Sequence, residues 1–333
     1  MTVDNIFLTG ANGFVGRYLT FAIRDGFPHA TIRALGGAAL DPSPHCATID
    51  LLDAEAVDRA VAEASPDLII HLAAQSSPAQ SEIVADATWA VNLVGSTNLA
   101  LAAARHVPGC TFLFASTSEV YGASFLKGPA SETTPLAPLN AYAKSKALAE
   151  SMLADVLPQS TRLIVARPFN HTGPGQRVEF VLPAFATQVA RIENGLQQNR
   201  IAVGNLDVRR DFLDVRDVVD AYFALIQNAA ALPARCTVNI SSGRARSLRE
   251  LLQILQQLSK VNFQVDEDPS LFRSVDLPLI MAEPRLLTAL TGWSPKTPIE
   301  RTLSNLLDWA RARLRRAERD ALEPLSYSAR QTD

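Results

Sequence analysis

Short apolar runs alternate with segments of helical spacing through the first two-thirds of the chain. Asn5–Thr9, Thr31–Leu35, Ala47–Asp50, Leu68–Leu72, Thr111–Ser116 and Arg162–Ala166 read as buried strands. Between them Phe14–Asp25, Ala54–Ala64, Asp86–Arg105 and Ala141–Leu157 repeat apolar residues at helical spacing. Strands separated by helices call for crossover connections and a parallel sheet covered on both faces. The expected fold is therefore α/β, a doubly wound Rossmann-type parallel sheet. After Arg167 the alternation loosens into "RPFNHTGPGQ" and later "EDPSLFRSVDLP", as in the loops and short helices of a smaller C-terminal α/β cap. Helices over Val215–Gln227 and Leu248–Leu258, with a strand at Thr237–Ile240 between them, suggest that the chain returns to the sheet before finishing the cap. An amphipathic helix near Ile299–Leu314 precedes a charged tail. The division expected is a nucleotide-binding unit over 1–166 and 208–242, a cap over 167–207 and 243–318, and a tail over 319–333.

The 333 residues can bury a large core, and the 47% apolar and 20% charged fractions are those of an ordinary globular protein. A net charge of −3 gives no electrostatic case for nucleic acid or an anionic membrane, so any anionic ligand must be held by local basic residues. Cys46, Cys110 and Cys236 are far apart and form no CxxC pair, which points to free thiols in a reducing compartment. The N-terminal residues lack the pattern of a signal peptide, and no apolar run approaches the roughly 20 residues that span a bilayer. A cytoplasmic protein is expected.

Between the first strand and first helix lies "TGANGFVG", which places Gly10, Gly13 and Gly16 in the turn. A dinucleotide needs such a turn: a backbone open to a pyrophosphate and a helix N-terminus aimed at it. NAD would ask for an acid near the end of the second strand, on the adenosine ribose, and Ala34, Leu35 and Gly36 supply none. Arg33 is close enough in sequence to meet a 2′-phosphate, so NADP(H) is favoured over NAD(H). Asp50 and Leu51, after the third strand, are placed to reach an adenine, with a helix N-cap the plainer role for Asp50. Further on, "NAYAKSK" sets Tyr142 and Lys146 four apart on one helix face. A neighbouring ammonium would lower the phenol's pKa, and the same lysine can reach a nicotinamide ribose. The stretch "FASTSEVYGA" adds Ser116, Thr117, Ser118 and Glu119 at a strand end. Thr117 is the choice for orienting a substrate carbonyl, with its neighbouring hydroxyls as supports.

These motifs, with "HLAA" (His71–Ala74), "NLVGSTNL" (Asn92–Leu99) and "RPFN" (Arg167–Asn170), run in the order of the extended short-chain dehydrogenase/reductases that act on nucleotide sugars, and the chain resembles that family over nearly its whole length. The resemblance implies a Rossmann unit in which Gly10, Asn12, Gly13, Phe14, Val15, Gly16, Leu72, Ala73, Ala74, Asn92, Tyr142, Lys146 and Arg167 hold NAD(P). It also implies a cap that binds a nucleotide diphosphate-sugar. The segments "VARPFNHTGPGQ" and "GNLDVRRDFLDVRDVVDAY" look most like the reductases of GDP-4-keto-6-deoxy-D-mannose and next most like the GDP-mannose 4,6-dehydratases.

By the same matching Ser118 and Asn170 would contact the sugar, and Arg177, Arg210 and Arg273 the diphosphate or nucleoside. Guanidinium forks suit a diphosphate; the plain reading of each arginine is a surface ion pair. His171, in the matched loop, is open between a sugar contact and a structural role. No metal site is expected. Glu119 has the spacing of the base a dehydration requires, which a ketone reduction would not use. The chain after "GPGQ" lacks the Arg-Arg-Gly-rich loop of the dehydratases, which favours reduction. A homodimer is expected, since family members commonly pair helices from the regions 86–105 and 140–157. A non-catalytic NAD(P) sensor would have no reason to keep Thr117, Tyr142 and Lys146 together.

Overall fold

The computed structural model describes residues 3–37, 46–76, 83–272 and 276–322, the last six as backbone only. The chain builds β1 (Asn5–Thr9), α1 (Phe14–Gly26), β2 (Thr31–Gly36), β3 (Ala47–Thr48), α2 (Ala54–Ala64) and β4 (Leu68–His71). It continues through α3 (Ala85–Trp89) and α4 (Ser96–His106), joined by a π-helical stretch over Ala90–Gly95, to β5 (Thr111–Ala115), α5 (Ala141–Val156) and β6 (Arg162–Pro168). Then come β7 (Asn170–Thr172), α6 (Val181–Glu193), β8 (Arg200–Val203), β9 (Arg209–Asp214), α7 (Val215–Gln227) and β10 (Arg235–Ile240). The last elements are β11 (Ala245–Ser247), α8 (Leu248–Leu258), β12 (Gln264–Glu267), β13 (Leu279–Ile280), α9 (Arg285–Thr291) and α10 (Ile299–Leu322).

Seven strands form one parallel sheet in the order β10-β6-β5-β4-β1-β2-β3. The strands read as unbroken apolar runs because each face is covered. Phe7, Ile69, Phe112 and Phe114 pack with Val57, Leu99 and Leu153 of α2, α4 and α5. Ile6, Leu8, Ile70 and Leu113 point the other way, onto Leu19 and Ile23 of α1 and Val218 and Leu225 of α7. The order reverses between β1 and β4, and the crevice beyond the carboxyl ends of those strands is where such sheets take their ligands.

The cap has its own core, in which Leu182 and Val189 of α6, Leu251 and Leu255 of α8, and Leu303 and Leu307 of α10 meet. Its backbone is tied by β9, which pairs with β7, β11 and β13, and by the parallel pair β8–β12. Residues 209–214 thus lie in the small sheet, and the chain rejoins the large unit with α7 instead of at 208. No loop marks that crossing, because Asp214 ends β9 and at once caps α7 by accepting from the Arg216 amide. Helix α10 runs past the expected Leu314 to Leu322, and the rest of the tail lies outside the described residues.

Candidate active site

The glycine turn folds as the sequence requires. Gly10 has φ +75°, and a Cβ there would lie 2.7 Å from the Ala73 amide nitrogen, so β1 and β4 approach too closely for any side chain. A Cβ on Gly16 would fall 2.0 Å from the Gly10 carbonyl oxygen. Gly13 precedes the first turn of α1 without a side-chain cap, which leaves the helix amides to a ligand. Asn12 is buried beneath this turn and donates to the Gly37 carbonyl at 2.9 Å, tying the loop to the end of β2. Phe14 stacks on His171 of the cap loop with centroids 6.1 Å apart, and Val15 packs into the core under the sheet. His171 Nδ1 donates to the Phe169 carbonyl, 3.0 Å away, and burial lowers its pKa against the pull of that carbonyl. Leu72 and Ala73 are fastened across the crevice, with the Leu72 amide on the Thr9 carbonyl and the Ala73 amide on the Thr9 hydroxyl. Ala74 follows them, half-buried. A turn that a Cβ would fill, beside an uncapped helix start at the switch point, fits a dinucleotide pyrophosphate.

Four of the expected cofactor residues have other partners. Arg33 lies mid-strand, opposite Phe7, and pairs with Glu63 of α2 at 3.0 Å, away from the turn. Strand β2 continues past it to Gly36, so among the described residues those at its crevice end are Gly36 and Gly37. Asp50 is exposed and accepts from the Leu52 amide, while the cap of α2 is Asp53. Leu51 is buried against Gly95 and accepts from Asn98 at its carbonyl. Arg167 points behind the site: its guanidinium meets Glu150, the Tyr121 hydroxyl and the Glu132 carbonyl. A buried arginine takes the nearest carboxylate, and that partner is 17 residues away in sequence.

The catalytic candidates come together. Asn140 caps α5 by accepting from the Ala143 amide, which starts the helix one residue before its first turn carries Tyr142 to the end of β5. Tyr142 is 9% exposed and faces Thr117, whose hydroxyl favours the ionised phenol. One turn on, Lys146 is buried, donates to the Ala115 carbonyl at 2.7 Å and stands 4.5 Å from the centre of the Phe114 ring. Burial pulls the Lys146 ammonium down to about 7, with Glu150 opposing. Burial, and then the charge of Glu119, push the Tyr142 phenol above its ordinary value, and the Thr117 hydroxyl opposes them. The lowering of the phenol expected from Lys146 is thus absent: a buried phenolate is costly, and the lysine is turned to a carbonyl and a ring. Glu119 accepts from the Asn140 amide group at 2.9 Å, so the residue that caps the catalytic helix also holds this carboxylate.

Behind them runs a buried polar chain whose bracing role sequence reasoning did not assign, although Asn92 was expected as a cofactor contact. Ser96 donates to the Asn92 carbonyl at 2.6 Å and therefore accepts from His71 Nε2 at 2.9 Å. His71 Nδ1 then accepts from the Thr9 hydroxyl at 2.7 Å. Burial, and then the charge of Lys146, hold this histidine down to about 3, so it is neutral. Asn92 accepts from the Gln75 amide and donates to Ser145, which donates to the Tyr142 carbonyl. Asn92 therefore braces the catalytic helix. A histidine closing an apolar strand, and an asparagine inside an apolar helix, were the signals that could have found the chain.

The expected sugar contacts are dispersed. Ser118 is buried beside Thr117, and Asn170 is half-buried at the start of β7 opposite Phe212. Arg210 is 8% exposed, and its guanidinium donates to Asp276 at 2.9 Å and to the Leu277 carbonyl at 2.7 Å. Arg177 is half-buried, 3.8 Å from Glu179. Arg273 lies outside the described residues.

A family model described as GDP-mannose 4,6 dehydratase matches residues 7–306. The chain belongs to that family. Within it, the chain is 36% identical over 309 residues to the GDP-6-deoxy-D-mannose reductase of Pseudomonas aeruginosa, covering 92% of this chain and 97% of that one. It is 27% identical over 288 residues to the GDP-6-deoxy-D-talose 4-dehydrogenase of Aggregatibacter actinomycetemcomitans, covering 86% and 91%. The solved structure of RMD from Pseudomonas aeruginosa, complexed with NADPH, superposes with a TM-score of 0.79 at 34% identity, covering 92% and 99%. The family's relatives are nucleotide-sugar reductases, dehydratases and epimerases, all enzymes with the same parallel-sheet architecture.

Proposed function

We propose that this protein reduces the C4 ketone of GDP-4-keto-6-deoxy-D-mannose with NAD(P)H, giving a GDP-6-deoxyhexose of the rhamnose or talose series. The observation that carries this reading is the near full-length match to a GDP-6-deoxy-D-mannose reductase, cap included, together with the buried Thr117–Tyr142–Lys146 constellation. Gly10, Gly13, Gly16 and the start of α1 would hold the pyrophosphate. Asn12, Phe14, Leu72, Ala73 and Ala74 would shape the crevice. Gly36 and Gly37 leave no acid at the adenosine ribose, which supports NADP(H) over NAD(H). When bound, the nicotinamide supplies a hydride to the sugar C4. Thr117 orients the C4 carbonyl, and Tyr142 gives its phenolic proton to the carbonyl oxygen as the alcohol forms. Lys146, one turn away, would meet the nicotinamide ribose, and the phenolate left behind recovers a proton from solvent. Ser118, Asn170, Arg177, Arg210 and Arg273 remain the residues proposed to meet the sugar and diphosphate, and for Arg210 this requires exchange of its Asp276 partner.

A second reading is 4,6-dehydration of GDP-mannose, and Glu119 favours it: a carboxylate near Tyr142 could serve as its base. The hold of Asn140 on Glu119 supports a fixed, charge-placing role instead. Exposed Val94, Leu101 and Leu148 on the neighbouring helices of the α4–α5 face support a homodimer. Among the described residues no helix is long and apolar enough to cross a membrane, in keeping with a cytoplasmic enzyme.

The test is to incubate the protein with GDP-4-keto-6-deoxy-D-mannose and NADPH, follow the loss of NADPH absorbance and identify the sugar. Consumption of NADPH with formation of a 6-deoxyhexose is expected. Inert NADPH, together with conversion of GDP-mannose to a 4-keto sugar, would reverse the assignment. The cofactor preference is read from kcat/KM with NADPH against NADH, and the dimer from light scattering.

A further inference from the structure

Three successive positions at the end of β5 are gripped by three side chains one turn apart on α5. Thr117 meets Tyr142, the Ala115 carbonyl takes the Lys146 ammonium, and the Ser116 hydroxyl donates to Glu150. The third rung joins two side chains that are buried behind Thr117 and Lys146. Glu150 and Arg167 are buried, 9% and 7% exposed at their side chains, and the guanidinium meets both carboxylate oxygens from β6. Arg167 is in turn fixed by the Tyr121 hydroxyl at 3.0 Å, and Tyr121 by Asn239 of β10 at 2.7 Å. The pair therefore links the catalytic strand end to the far edge of the sheet.

We propose that Glu150, locked by Arg167, is a positioning residue that holds the Ser116–Thr117 turn against the catalytic helix and supplies the counter-charge behind Lys146. Replacing a buried ion pair by well-packed apolar residues of similar size is often neutral or stabilising, so stability alone does not account for this pair. Here the carboxylate stands one turn from the lysine, on the same helix face. The other groups facing Lys146 give it no negative charge. His71 of β4 is neutral, Phe114 of β5 presents a ring face, and Tyr142 on its own helix is protonated. Glu119 faces Tyr142 and is held by Asn140. Arg167 of β6 stands behind the carboxylate and partly offsets it. Consistent with this geometry, Glu150 is the group that opposes the fall in the Lys146 pKa.

The chain has five lysines, so ε-carbon-13-labelled lysine gives a resolvable set of signals, and Lys146→Arg identifies the one of interest. The paired variant Glu150→Gln with Arg167→Met removes both charges and leaves neither alone. Its Lys146 titration midpoint should fall by about one pH unit, and NADPH affinity, followed by fluorescence, should be lost at a correspondingly lower pH. An unchanged midpoint in the folded variant overturns the counter-charge. Ser116→Ala keeps both charges: it should leave the Lys146 midpoint in place and lower kcat tenfold or more with KM for NADPH little changed. Full kcat in that variant overturns the positioning role, whether or not the paired variant folds. Only the turnover arm rests on the reductase reading. Titration and NADPH binding need no sugar, so absence of turnover in the parent protein with intact titration results would count against the substrate and not against Glu150.

Discussion

Replacing Gly10 by alanine separates the two reasons a glycine is needed in the turn. The first is conformational: φ is +75°, where an L-residue with a Cβ costs roughly 1–2 kcal/mol. The second is steric, because the new methyl would lie 2.7 Å from the Ala73 nitrogen and 2.8 Å from the Leu72 carbonyl carbon. Both are backbone atoms of the opposite side of the crevice and cannot swing aside. Forcing β1 and β4 apart adds about 1–3 kcal/mol of overpacking, for a total of about 2–5 kcal/mol. Gly175 is the internal control, since its φ is +89° but nothing lies within 4 Å of a built Cβ. Gly175→Ala should therefore show the conformational cost alone. At about 2–4 °C per kcal/mol, Gly175→Ala should melt a few degrees lower and Gly10→Ala roughly twice as far below the parent. Differential scanning fluorimetry gives the melting points and NADPH fluorescence titration the affinity, which should weaken more than tenfold in Gly10→Ala only. If the two variants melt together and bind NADPH equally, close approach across the crevice is not what shapes the site.

Tyr142→Phe should lower kcat by about 10²–10⁴-fold, the usual worth of a positioned proton donor, while a thermal melt moves by little, since the ring and its packing are kept. Glu119→Gln should retain near-normal ketone reduction in the NADPH assay, whereas a large loss would restore the carboxylate as an essential base. Asp211 is buried, and desolvation raises its pKa to about 6 against hydrogen bonds from Ser242 and Gly243. A raised folded-state pKa means this carboxyl contributes most below about pH 4 and that the contribution is lost as pH rises through 6. Urea unfolding across that window should show a slope that Asp211→Asn removes. In the cap, Leu303→Ala should cost roughly 2–5 kcal/mol in the same denaturation assay, because Leu303 is fully buried between α6 and α8.

Much of this was legible from local signals. The ends of α7 and α8 follow from Asp214 and Ser247, polar caps set just before apolar residues at helical spacing. The placing of Tyr142 and Lys146 on one helix face followed from a four-residue interval. Helix α6 was not apparent, because Pro183 in "VLPAFATQV" reads as a breaker although the first helical turn tolerates it. Arg33 was misplaced because sequence does not say how far a strand continues: β2 runs three residues beyond it, and the side chain faces α2. Arg167 was misread for a different reason. Its carboxylate partner sits on a helix that only the folded topology brings alongside β6, and no local pattern announces such a pairing. The raised phenol of Tyr142 likewise depends on where the Lys146 head group comes to rest.

The interleaving of the two units has a consequence for how the molecule is made. Strand β10, which covers the outer edge of β6, is drawn from residues 235–240, after part of the cap has already been synthesised. The cap core in turn waits for α10 near the chain's end. A ribosome-bound chain of some two hundred residues would therefore carry an open β6 edge and a set of unmated cap helices, the kind of surface that recruits wrong partners. Because Arg167 sits on β6 and leans through Tyr121 on Asn239 of β10, the brace behind the catalytic turn also closes late. The order of synthesis thus leaves the brace behind the crevice open until residues 235–240 have left the ribosome, and the cap core open longer still.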